Sequence, residues 1–219
     1  STDAVLMNMD TNGNINWLKH YGGSDIDSKT LLAQINDTIL IMSYGTQSFG
    51  SGDKDFVISR IDWTGNEIWS RVYGGSNADQ VMDIEKTMTK NTICFAGITH
   101  SYSNGSNDHF LIETDYSGNI VFDNNYGAIW GETKSNVLTL PDSSYILGGV
   151  TNSGPGGWDG DVIKLDKNGN VEWAKWMVGV SNPKLVTPDN KIIFMENGTP
   201  GAVVTKMDYN GNIIWSYSY

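Results

Sequence analysis

The chain has 219 residues, with 14 Lys or Arg against 25 Asp or Glu, a formal net charge of −11. That balance excludes nucleic acid as a partner, because phosphate binding needs a basic face, and an anionic membrane surface would repel it. Gly is frequent at 25, Pro scarce at 5, and 8 Trp and 10 Tyr accompany them, which is the composition of an all-β chain with many tight turns.

In chain order, the apolar run Ala4–Met9 leads into the turn Asp10-Thr11-Asn12-Gly13-Asn14, after which Ile15 and Trp17 fall at alternate positions. The same unit returns as Phe56–Ile61 before Asp62-Trp63-Thr64-Gly65-Asn66 and Trp69, and as Phe110–Thr114 before Asp115-Tyr116-Ser117-Gly118-Asn119 and Phe122. Two further copies run from Val162–Leu165 through Asp166 and Gly169 to Trp173, and from Ala202–Met207 through Asp208 and Gly211 to Trp215. The turn glycines lie 52, 53, 51 and 42 residues apart. Alternation of apolar residues on both sides of an Asp-Gly turn predicts a β-hairpin at each copy, with Gly supplying the positive φ. Between the hairpins a second pair of strands is predicted, at Gln80–Thr87 with Thr92–Thr99, and at Asn136–Leu140 with Ser144–Thr151. Four strands per repeat of ~50 residues, without helical periodicity, predict the blades of a β-propeller.

The pattern of apolar strand, Asp, Gly-Asn and Trp, followed by Tyr73-Gly74-Gly75-Ser76 in its clearest copy, resembles propeller repeats of large bacterial and archaeal surface proteins. The hairpin is also similar to the tryptophan-docking hairpin of quinoprotein propellers and to the outer strands of WD40 blades. The resemblance implies architecture and an extracellular or cell-surface location, without implying chemistry. The whole chain is then expected to be one all-β propeller domain of four-stranded antiparallel blades, with about five blade positions and one incomplete. Its units would be about 1–25 (a half-blade), 26–77, 78–130, 131–179 and 180–219. The first hairpin has no inner strand pair before it, so the chain is expected to be a segment of a longer repeat protein or to carry a half-made blade. Trp17, Trp69, Phe122, Trp173 and Trp215 are expected to form a girdle, mostly buried between sheets.

Catalytic signals are absent from the pattern. His20, His100 and His109 fall at unrelated places in their units and imply neither a metal set nor a nucleophile dyad. Counted as a calcium loop, the Asp turns have Tyr21, Tyr73, Tyr126, Met177 and Tyr219 where a bidentate Glu belongs, so they read as hairpin turns with no metal. Cys94, the single cysteine, lies in an apolar run and reads as a buried, inert thiol. No cofactor and no enzymatic activity are expected. No stretch reaches the ~18 apolar residues of a membrane helix.

Two loop families should share one face. One carries Phe49, Tyr102 and Trp158; the other carries Trp130 together with Asp27, Asp79 and Glu132, each acid six residues beyond Tyr21, Tyr73 or Tyr126. In the fourth unit the first loop shrinks to Gly198-Thr199-Pro200-Gly201. The Thr, Ser and Asp of these loops can bond across to neighbouring loops, or the aromatics can form a recognition surface rimmed by carboxylates. The expected role is protein–protein assembly or adhesion, with glycan binding as the alternative. Glycosylation sequons stand at Asn36, Asn104 and Asn197.

Overall fold

The computed structural model describes residues 2–177, 184–186, 189, 191–197 and 201–219. A two-stranded hairpin, β1 (Ala4–Met9) and β2 (Ile15–Tyr21), precedes four antiparallel sheets of four strands each. The first holds β3 (Asp27–Asn36), β4 (Ile39–Thr46), β5 (Asp55–Asp62) and β6 (Glu67–Tyr73) in sequential order. The second holds β7 (Asp79–Lys86), β8 (Thr92–Thr99), β9 (Asp108–Asp115) and β10 (Ile120–Tyr126). The third holds β11 (Glu132–Thr139), β12 (Tyr145–Gly154), β13 (Gly157–Leu165) and β14 (Val171–Met177). The last holds β15 (Lys184–Val186), β16 (Lys191–Asn197), β17 (Ala202–Asp208) and β18 (Ile213–Ser218).

First strands of successive sheets lie side by side, β3 against β7, β7 against β11 and β11 against β15, so these are the inner strands and the fourth ones the outer. This is the succession of propeller blades expected from the repeat, with β1–β2 as the outer half of one blade. The burial pattern follows from it. Strand β8 is buried at every residue and β9 at all but its last, because a middle strand is covered on both faces by neighbouring blades; β8 reads accordingly as an apolar run. The outer strands β2, β10 and β14 instead alternate. Strand β11 begins at Glu132, four residues ahead of the apolar stretch that marks it in the sequence, since its first residues are polar and serve the loops.

The core is divided into one cluster per seam. Ala4, Tyr21, Leu40, Met42 and Val57 join the half-blade to the first full blade. Ile41, Phe56, Ile58, Phe95 and Phe110 fill the next seam, Cys94, Leu111, Tyr126, Tyr145 and Leu147 the third, and Ile146, Met177, Phe194 and Met207 the last. Burial pushes the Cys94 thiol well above its ordinary pKa. A backbone clasp also recurs: the N–H of Asp27, Asp79 and Glu132 donates to the carbonyl of Thr2, Lys54 and Asn107 at 2.6, 2.6 and 3.0 Å.

Candidate functional site

Each outer hairpin turn is built by its own Asp. Asp62 Oδ1 accepts from the N–H of Thr64 (2.8 Å) and of Asn66 (2.9 Å), and Oδ2 accepts from the Asn66 amide at 3.1 Å. The Asp10, Asp115, Asp166 and Asp208 turns repeat the arrangement. The Thr64 hydroxyl and the Asn66 donors hold the Asp62 carboxyl down to about 2, and the paired Asn lowers the other four. The carboxylate oxygens therefore serve the turn itself.

The turn then acts as a socket for the outer strand of the preceding blade. Into the Asp62 turn, Trp17 Nε1–H donates to the Trp63 carbonyl (2.9 Å), Lys19 Nζ to Asn66 Oδ1 (2.6 Å) and Tyr21 O–H to the Gly65 carbonyl (2.8 Å). Into the Asp115 turn come Trp69, donating to the Tyr116 carbonyl at 3.3 Å, and Arg71 and Tyr73, both donating to the Gly118 carbonyl. Phe122, Asn124 and Tyr126 meet the Gly169 turn, and Trp173 with Lys175 meet the Tyr209–Gly211 turn. Gly65 and Gly118 have φ of 77° and 79°, and a Cβ on either would lie 2.9 Å from the docked indole, so glycine is required twice over. The five girdle rings are half-buried; the first four cap the neighbouring turn at the outer rim, and Trp69, Phe122 and Trp173 also pack against the clusters between the sheets. Only the two ends depart. Gly13 has nothing within 4 Å of its Cβ position. Trp215 lies on Tyr217 at 5.3 Å, and among the described residues it meets no turn.

The two loop families do converge on one face, through hydrogen bonds. Asp27 Oδ2 accepts from Gly23 N–H (2.8 Å) and from the Ser48 hydroxyl (2.7 Å); Asp79 accepts from Gly75 N–H (2.9 Å) and from the Thr99 and Ser101 hydroxyls. Glu132 Oε1 accepts from Thr151 at 2.9 Å. These three acids are 0%, 1% and 2% exposed, so they do not rim the face but lie beneath it, holding one loop to the next. Phe49, Tyr102, Trp130 and Trp158 are exposed; the first three lie on separate loops, whereas Trp158, expected on a loop, is the second residue of β13, and among the described residues no ring contact joins them. The loop at 198–200 lies outside the described residues. Asn36 and Asn104 are exposed; the Asn197 side chain lies outside the described residues.

One feature escapes a motif search. At the seam between the first two full blades, Phe56 and Phe110 stack with centroids 5.4 Å apart. One blade further on, the corresponding strand positions are His109 and Asp161, with Nε2 and Oδ2 3.1 Å apart. Their exposures are 0% and 7%. A position-by-position comparison of the repeats carries this signal; a search for His spacing does not.

No protein-family model matches the chain, and no curated protein matches it. Solved structures do. A protein of unknown function from Bacteroides caccae aligns at a TM-score of 0.50 and 13% identity over 83% of this chain. A subtype N10 neuraminidase-like protein of A/little yellow-shouldered bat aligns at 0.53 and 10% over 86%. A Synechocystis apocarotenoid oxygenase mutant aligns at 0.55 and 10% over 98%. The chain spans 58%, 58% and 55% of those three proteins' lengths. At such identities the likeness establishes the propeller-type fold alone.

Proposed function

We propose that the chain is a non-catalytic assembly module of the cell surface or extracellular space, which joins another propeller unit through its two end faces. The observation that carries this reading is the pair of open docking partners among the described residues: the Asp10 turn, where nothing lies within 4 Å of the Gly13 Cβ position, and the outer strand β18 bearing Trp215. Each is half of a contact made four times within the chain. Among the described residues strand β1 pairs only with β2, so its other edge offers backbone groups to an added strand. The resemblance of the repeats to those of bacterial and archaeal surface proteins supports the location. Sedimentation velocity tests the reading: the chain should self-associate with concentration, and Trp215→Ala should weaken association. A monodisperse monomer throughout would overturn it.

A second reading, glycan binding on the loop face, is favoured by the exposure of Phe49, Tyr102, Trp130 and Trp158. A glycan array with and without Trp158→Ala decides it.

A further inference from the structure

The His109–Asp161 pair lies beside a cleft of about 350 Å³ between the second and third full blades, lined by Tyr126, Glu132, Thr151, Asp161, Ile163 and Trp176 among others. The repeat makes this seam informative. Where the neighbouring seam packs Phe56 on Phe110, the present one buries a titratable pair, and burying charge without full compensation costs stability. The compensation within the protein is incomplete. Asp161 Oδ1 and Glu132 Oε2 are buried with no hydrogen-bond partner, although both residues line the cleft. Asp108 stands close by, since a Cβ on Gly127 would run into the carboxylates of both Asp108 and Glu132. Three acids thus face one histidine. Lys175, the cation on the cleft wall, donates its Nζ to the Gly211 carbonyl instead.

Carboxylate oxygens only accept, so an occupant must donate, and the surplus of negative charge favours a donor that is also a cation. The described residues hold no group of three or more ligands placed for a metal ion. Beside the polar Asn125 and Ser153, the remaining wall is apolar or aromatic: Ala128, Ile163, Val171, Ala174 and the exposed ring of Trp176. We propose that this cleft binds a small organic cation, a primary ammonium group on an apolar or aromatic body. The ammonium donates to Glu132 Oε2 and Asp161 Oδ1, and the body lies on Trp176. Burial holds the Glu132 carboxyl up to about 7 against the lowering by Thr151 and His109, and an ammonium bound beside it would bring it down into the carboxylate form. The site is separate from the assembly faces, and neither proposal depends on the other.

The test is an NMR titration of the full chain with benzylamine, beside benzyl alcohol, methyl glucoside and calcium chloride. Benzylamine should shift amides around Glu132, Asp161 and Trp176 saturably, and more tightly than any of the others. Glu132→Gln and Asp161→Asn should each weaken it about tenfold or more, and Trp176→Ala about two- to fivefold. Trp176 is exposed, so its variant decides the matter if either amide variant fails to fold. The proposal is overturned if benzylamine does not saturate, if the alcohol, the glucoside or calcium binds as tightly, or if binding is indifferent to these substitutions.

Discussion

Truncating an indole that occupies a socket should cost far more than truncating one that does not. Trp69 is half-buried, packs against the seam of Phe56 and Phe110, and donates to the Tyr116 carbonyl. Removing about 150 Å² of contact at about 25 cal/mol per Å² is worth about 4 kcal/mol, and the lost hydrogen bond adds about 1 kcal/mol. Partial collapse of the site offsets some of this, so Trp69→Ala should destabilise by about 3–5 kcal/mol, the range for large core truncations. Trp215 carries the same residue at the same strand position but rests on Tyr217, and Trp215→Ala should cost about 1 kcal/mol. Urea unfolding followed by circular dichroism measures both. With a slope of about 2–3 kcal/mol/M, the midpoints should fall by about 1.5 M and less than about 0.5 M. Equal losses for the two variants would refute the socket argument.

Stability should peak in mild acid. The five turn aspartates have lowered pKa values, so their contribution is present above their ordinary range and lost as pH falls through the folded values. Glu85 and Glu132 are raised to about 7, chiefly by burial, so theirs is full below about pH 4.5 and lost as pH rises through about 7. The melting temperature should therefore be highest near about pH 4–5, and combining Glu85→Gln with Glu132→Gln should flatten the neutral limb; a melting temperature that climbs steadily to alkaline pH contradicts this. Chelator should leave the melting temperature unchanged, because the turn carboxylates already accept from their own Asn donors; a shift of several degrees would show a bound cation. Lys90 donates to the wholly buried Glu113 at 3.0 Å and to Tyr145 at 2.7 Å, so Lys90→Met should cost about 3–5 kcal/mol in the same urea assay by stranding that carboxylate. A loss under about 1 kcal/mol would contradict this.

The architecture was legible because it rests on local chemistry. Five Asp-Gly turns and period-two alternation after each define the outer hairpins, and continuous apolar runs such as Thr92–Thr99 define the middle strands. The inner strands were less so: β11 starts among Glu132, Thr133 and Lys134, whose polarity serves loop contacts that a pattern along the chain does not encode. The same cause left two readings open for Asp27, Asp79 and Glu132, of which bonding between loops holds and the solvent rim does not. Their burial depends on hydroxyls from Ser48, Thr99, Ser101 and Thr151, some twenty residues away and fixed only once the strands pair. The depth of Trp69 likewise depends on the neighbouring glycine turn. His109 and Asp161 were visible only by aligning one blade's residues on the next, since isolated histidine carries no periodic signal.

In the proposed assembly, Trp215 and its strand fit the Asp10 turn of another molecule as Trp17 fits the Asp62 turn within this one. Lys19 Nζ and Asn66 Oδ1 lie 2.6 Å apart across the internal socket, and the corresponding end positions are Tyr217 and Asn14, both exposed. Chains carrying Tyr217→Cys and chains carrying Asn14→Cys should, when mixed under mild oxidation, form a disulfide-linked heterodimer, with Cys94 silent because it is buried. Yields no higher than those of Tyr217→Cys mixed with Asp37→Cys, a position on the exposed β3–β4 turn, would contradict the account.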